Sequence, residues 1–233
     1  MKKTWTPELI AGRLKQEKPY LHTNYESIYQ WIYTDRRDLI AYLPRGHKTR
    51  RKRCGAKNKR SVRIPNRIMI DKRPPQIGER TEAGHWEADT AVSRQSKAAI
   101  AATVERTSRF LIAKKLQSKT SNNMHTALCM TLKRFPQWLR QSITYDNGTE
   151  NVCHEQTNRA LKTQSYFCNP YHSWEKGSIE NRIGIIRRFF PKKTDWSLIT
   201  QRQLDRVIKI INTRPMKCLG FKTPQEVFVA LTH

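Results

Sequence analysis

Three short apolar runs crowd into residues 85–113 and restrict what this chain can become. His85-Trp86-Glu87-Ala88-Asp89-Thr90-Ala91-Val92 alternates as a strand does. Ala98 to Val104 and Phe110 to Ala113 follow after short polar breaks. The breaks are too short for a crossover between parallel strands, so the runs predict an antiparallel meander. Beyond it, helical and extended patterns alternate. Met124, Leu128, Leu132 and Phe135 mark a helix over 121–135, and Ile143 to Asp146 reads as a short strand. Residues 150–163 read as helix and Tyr166 to Cys168 as strand. Ile179, Ile183, Ile186 and Phe190 then stripe one face of a long helix. A last helix over 201–212 turns Leu204, Val207, Ile208 and Ile211 inward. The order β-β-β-α-β-α-β-α predicts an α/β domain, a mixed sheet with helices on its faces.

Charge divides the rest of the chain. Its 233 residues carry 45 Lys+Arg against 19 Asp+Glu, a net +26. Residues 45–73 alone hold 13 basic side chains and 1 acidic one. So dense a stretch has too few apolar residues for a core and reads as an arm. Like charges at this density favour phosphate neutralisation with counterion release. Arg50, Arg51, Lys52, Arg53, Lys57, Lys59 and Arg60 are the candidate phosphate contacts. No apolar run approaches the roughly 18 residues of a membrane span. Five cysteines without a CxxC pair exclude a disulfide framework and the common zinc modules, and a site from Cys153, His154 and Cys168 lacks suitable spacing.

Residues 1–44 read as two or three short helices. Thr6 caps one, with Pro7 at its first position. Thr23-Asn24-Tyr25-Glu26 has capping-box spacing before a second, in which Tyr25, Ile28, Tyr29 and Ile32 share a face. A third spans about 36–42. Such a segment before a basic arm suits a helix-turn-helix-like DNA-binding module, or a plain helical hairpin. The expected division is thus 1–44 for this module, 45–83 for the basic linker, and 84–233 for the main domain.

Acidic residues are scarce in that domain, and three stand apart. Asp89 lies within the first strand, and Asp146 ends a strand just before Asn147-Gly148. Glu180 adjoins the Ile179 stripe. In this topology the first and fourth strands are adjacent at the sheet centre, and a helix can cross their ends, so the three carboxylates are expected to converge. Gathered carboxylates repel one another, and hard divalent cations relieve that cost.

Between Asp146 and Glu180 lie 33 residues. With HWEADT, ATVERTSRF, TYDNGTEN, NPYHSWEKGSIEN, RRFFPKKTD and NTRPMKCLGFKTPQEVF in this order, the chain resembles the insertion-sequence-thirty family of bacterial DDE transposases. The resemblance covers about residues 84–230 closely, and Trp5 to Leu43 resembles the family's second helix-turn-helix region. It implies an RNase H-like integrase catalytic core. It also implies that Asp89, Asp146 and Glu180 are the catalytic, metal-binding triad. The cofactor implied is Mg²⁺ at a two-metal site, with Mn²⁺ substituting, and the partners are double-stranded DNA at the element's terminal inverted repeats and at the target. A homodimer on DNA in the bacterial cytoplasm, associated with the nucleoid, is expected, with no membrane contact. Family members are longer and carry a further N-terminal DNA-binding module, so the chain is expected to be N-terminally short.

The residues around Glu180 extend the expected DNA contacts to Trp174, Lys176, Asn181, Arg182, Arg187 and Arg188. Two other readings remain at this point: a catalytically idle DNA-binding regulator of transposition, and a ribonuclease-H-type nuclease without strand transfer.

Overall fold

The computed structural model describes residues 5–21, 23–43, 64–170 and 172–232, with only the backbone of Ser173 and Trp174. These residues form two compact units, one joining the N-terminal helices to residues 213–231 and the other spanning 61–212.

In the first unit, α1 runs over Pro7–Glu17 and α2 over Tyr25–Thr34. Thr6 caps α1 as its sequence predicts: its hydroxyl accepts the Leu9 N–H at 3.3 Å, and Pro7 opens the helix. The cap of α2 is Asn24, not Thr23. The Asn24 side chain accepts the Glu26 N–H, and the helix starts at Tyr25. The third segment is a 3-10 helix over Arg37–Tyr42.

The second unit opens with a 3-10 turn over Ile70–Lys72 and the short α3, Pro75–Glu79, and then the meander β1 (His85–Val92), β2 (Ala99–Glu105) and β3 (Leu111–Leu116). It continues with α4 (Ser121–Leu132), β4 (Ser142–Tyr145), α5 (His154–Leu161), β5 (Gln164–Phe167), α6 (Gly177–Phe189) and α7 (Gln201–Asn212). The element order is the one expected. The sheet order is β3-β2-β1-β4-β5, antiparallel among the first three strands and parallel from β1 through β4 to β5. All seven residues of β2 are buried, as they must be when helices cover both faces.

One face carries an extensive apolar cluster. Ile179, Ile183 and Ile186 of α6 meet Ile100, Ala102 and Val104 of β2, and Leu204, Val207, Ile208 and Ile211 of α7 close the layer. The helical stripes read from sequence are therefore the core contacts. Asn212, buried at the end of α7, pairs its side-chain amide with both backbone groups of Leu111, accepting at 2.9 Å and donating at 2.8 Å. That pairing occupies hydrogen-bonding groups on the edge strand β3, which would otherwise be open to another chain.

Both limits of the expected main domain shift. Residues from 64 onward pack on the sheet: Ile64 and Ile77 are buried, Phe167 donates its N–H to Ile68 O at 2.8 Å, and Met69 bridges to Phe167. At the other end, α8 (Pro224–Thr232) groups with the N-terminal helices. Thr223 caps it, and Glu226 returns a carboxylate to the Thr223 N–H at 2.8 Å, a complete capping box. Glu226 also holds Arg13 of α1 in a bidentate pair. Residues 44–63 lie outside the described residues. So do the expected contacts Arg50, Arg51, Lys52, Arg53, Lys57, Lys59 and Arg60.

Candidate metal centre and catalytic cleft

Two neighbouring parallel strands bring the aspartates together. β1 and β4 pair His85 with Ser142, Trp86 with Ile143 and Glu87 with Thr144. The same register carried two positions on sets Asp89 opposite Asp146. Asp146 is the first residue past β4, where the chain turns and its side chain reaches the cleft at the strand ends. Gly148 N–H and the Asn151 side-chain amide donate to Asp146 Oδ1 at 3.1 and 2.8 Å. Asn147 donates to Cys168 O at 2.7 Å, tying the end of β4 to the chain just after β5. Gly148 and Asn151 thus orient Asp146, while Asn147 fixes the strand end. A Cβ on Gly148 would displace the Glu150 carboxylate.

Glu150 is the site residue that the sequence reading missed. It sits in a 3-10 turn over Thr149–Asn151 and is buried. One carboxylate oxygen from each of Asp89, Asp146 and Glu150 lies within 4.8 Å of the other two. Glu150 also pairs with Lys119 at 2.8 Å. The signal available in sequence was a second carboxylate four positions after Asp146.

Lys176 stands on the other side of the pair. Its Nζ is 3.5 Å from Asp89 Oδ2 and 3.6 Å from Asp146 Oδ2, and it donates to Ala88 O at 3.3 Å. Burial alone would lower its pKa, but the two aspartates outweigh burial and hold the ammonium above its ordinary value. Asp89 is displaced upward, chiefly by burial and also by Asp146, with Lys176 opposing.

A cleft of about 450 Å³ contains Asp89, Asp146 and Glu180 together, with Arg67, His172 and Lys176 also on its walls. Glu180 is exposed in the first turn of α6 and lies outside the tight cluster of Asp89, Asp146 and Glu150. The donor set is acidic oxygen at short spacing, which fits a hard divalent cation rather than a soft metal. Cys168 also lines the cleft. Burial pushes its thiol up to about 12, so it stays protonated at neutral pH and is no nucleophile.

The expected phosphate contacts separate. Asn181 and Arg188 are exposed on α6, and Arg187 is half-buried. Lys176 and Arg182 are buried, Lys176 against the aspartates and Arg182 donating to Arg109 O at 2.9 Å. The Trp174 side chain lies outside the described part of the structure. Arg67, not anticipated, is exposed on the cleft wall and donates to Asn147 Oδ1.

No family model matches the chain. Among curated proteins, transposase InsI for insertion sequence element IS30A of Escherichia coli is 38% identical over 241 residues, covering 98% of this chain and 63% of the relative. The transposase for insertion sequence element IS1086 of Cupriavidus metallidurans is 33% identical over 231 residues, 96% of this chain and 68% of the relative. That for IS4351 of Bacteroides fragilis is 36% identical over 231 residues, 98% and 70%. The chain belongs to the insertion-sequence-thirty family of transposases.

The chain spans 63% to 70% of the length of these relatives. Its fold is that of an integrase catalytic core. The core domain of bovine immunodeficiency virus integrase superposes with a TM-score of 0.52 at 18% identity, over 65% of this chain and 97% of the viral one. The mixed five-stranded sheet is therefore RNase H-like. Among the described residues, no helix is long and apolar enough to cross a membrane.

Proposed function

We propose that this chain cleaves DNA at the ends of an insertion sequence and joins the freed strand to a target. Asp89, Asp146 and Glu180 are the residues that carry the chemistry. The observation behind this reading is the register of β1 and β4, which places Asp89 and Asp146 side by side at the strand ends, in a cleft that Glu180 also lines.

The chain's own groups have separate tasks. Asp146 is held by Gly148 and Asn151 so that its second oxygen faces the cleft. Asp89 accepts the Thr90 N–H on one oxygen and keeps the other toward Lys176. Glu150 adds a third acidic oxygen, and Glu180 a fourth from the helix side. These oxygens would hold Mg²⁺, or Mn²⁺ in its place, which would supply activation of the attacking oxygen and stabilisation of the leaving one. Water is the nucleophile in cleavage, and the 3′-OH it frees is the nucleophile in joining.

Double-stranded DNA is the partner, gripped through phosphates. Arg67 is exposed on the cleft wall, Asn181 and Arg188 are exposed on α6, half-buried Arg187 adds to them, and the basic arm extends the grip. Helices near the N-terminus supply further DNA contacts, and two copies act on a pair of ends. The chain works in the bacterial cytoplasm, on the nucleoid.

The test uses a labelled duplex carrying the element's terminal repeat, with Mg²⁺ or Mn²⁺. Nicked ends together with joined strands support the proposal. Nicks without joined strands indicate a nuclease, and neither product under any metal indicates a binding protein.

A further inference from the structure

Glu87 is fully enclosed in β1, two positions before Asp89 and on the same strand face. Its Oε1 takes Arg106 Nη1 at 2.6 Å, and its Oε2 takes the backbone N–H of Ile179 at 3.0 Å. Ile179 lies in the first turn of α6, directly before Glu180. A helix N-terminus leaves such N–H groups unsatisfied and favours a negative charge nearby. The same turn is held again from the β2–β3 connection. The Ser178 hydroxyl meets the Arg109 guanidinium, and Arg182 donates to Arg109 O at 2.9 Å. Arg106 itself is anchored to Ile77 O at 3.2 Å.

A packing role would be served by an apolar side chain, since a buried ion pair is weak evidence for stability. Two directed bonds from one carboxylate, one of them to the helix that carries Glu180, do something an apolar residue does not. We propose that Glu87 is a positioning residue: it sets the register of α6 on β1, and so where Glu180 stands relative to Asp89. This rests on the reading of Glu180 as a metal-binding carboxylate.

The experiment compares two double variants of the full chain, Glu87→Met with Arg106→Met and Glu87→Gln with Arg106→Met. Both lack the ion pair, and only the second retains an acceptor for Ile179 N–H. Mn²⁺ affinity, followed by electron paramagnetic resonance, is read beside the melting temperature. The Gln form is expected to bind Mn²⁺ near the wild-type level and the Met form about tenfold or more weakly, as losses in outer-shell support do. Equal affinities in the two folded proteins overturn the proposal. If the Met form does not fold, Glu87→Asp keeps the charge but shortens the reach to Ile179. It is expected to lose Mn²⁺ affinity, and wild-type affinity in it overturns the proposal. Glu180→Gln separates the two readings. Wild-type Mn²⁺ binding and strand transfer in that variant remove Glu180 from the site, whereas their loss there, with no loss in the Glu87 variants, removes only Glu87.

Discussion

Lys176 Nζ lies 3.5 Å from Asp89 Oδ2, and it reaches Asp146 almost as closely. A buried ammonium therefore balances two carboxylates that would otherwise repel each other. Replacing it by Met leaves the pair uncompensated. Lys176→Met is expected to lower stability by about 3–5 kcal/mol, the usual cost of breaking a buried charge pair. Added Mg²⁺ should restore part of the loss. Thermal melts with and without Mg²⁺ check this, and a variant as stable as wild type in both conditions contradicts it.

Glu150→Gln tests the carboxylate found only in the structure. One of its oxygens lies within 4.8 Å of one oxygen each of Asp89 and Asp146. The variant should bind Mn²⁺ about tenfold or more weakly, comparable to losses from supporting groups around metal ligands. Titration of Mn²⁺ binding reads this directly. Unchanged affinity would confine Glu150 to its pair with Lys119.

Much of the fold was legible because its signals are local. Ile179, Ile183 and Ile186 repeat at helical spacing, and β1 alternates, so periodicity exposed their inward faces. The meeting of Asp89 and Asp146 was legible from topology, because their two strands were expected to lie adjacent at the sheet centre, as they do. Glu150, Glu87 and Arg67 were not, since their partners come from distant segments. The burial of Lys176 and Arg182 was not legible for a related reason. A basic residue on a helix or just before it looks solvated in sequence, and only the packing of α6 on the sheet reveals that these two face inward. The grouping of residues 213–231 with the N-terminal helices depends on pairs such as Arg13 with Glu226, which no local pattern shows.

That pair gives a pH prediction. Hydrogen bonding to Arg13 holds the Glu226 carboxyl down at about 2. A carboxyl depressed in the fold adds stability that is fully present above its unfolded value, about 4.3. The contribution is lost as pH falls from there through about 2. Glu226 is 44% exposed on its side chain, so screening keeps the effect to about 1 kcal/mol or less. Denaturant midpoints from pH 7 down to the acid limit, for wild type and Glu226→Gln, should converge as pH falls. A constant gap at all pH values contradicts the assignment.

The basic arm predicts a salt effect. Changing Arg50, Arg51, Lys52 and Arg53 to Gln should flatten the slope of log affinity against log salt by up to about 3–4 units, near 0.9 for each phosphate no longer neutralised. Binding to any duplex sequence should weaken alike. An unchanged slope removes the arm from the DNA interface.

The central claim is that Asp89, Asp146 and Glu180 act together on DNA in one metal-dependent site. The most direct measurement is strand transfer by Glu180→Gln, with a duplex bearing the element's end and Mg²⁺ or Mn²⁺, beside wild type and at matched folded concentration. The account predicts joined product in wild type and a loss of about a hundredfold or more in the variant, as removal of a group acting in the transition state produces. Full strand transfer by Glu180→Gln would contradict it.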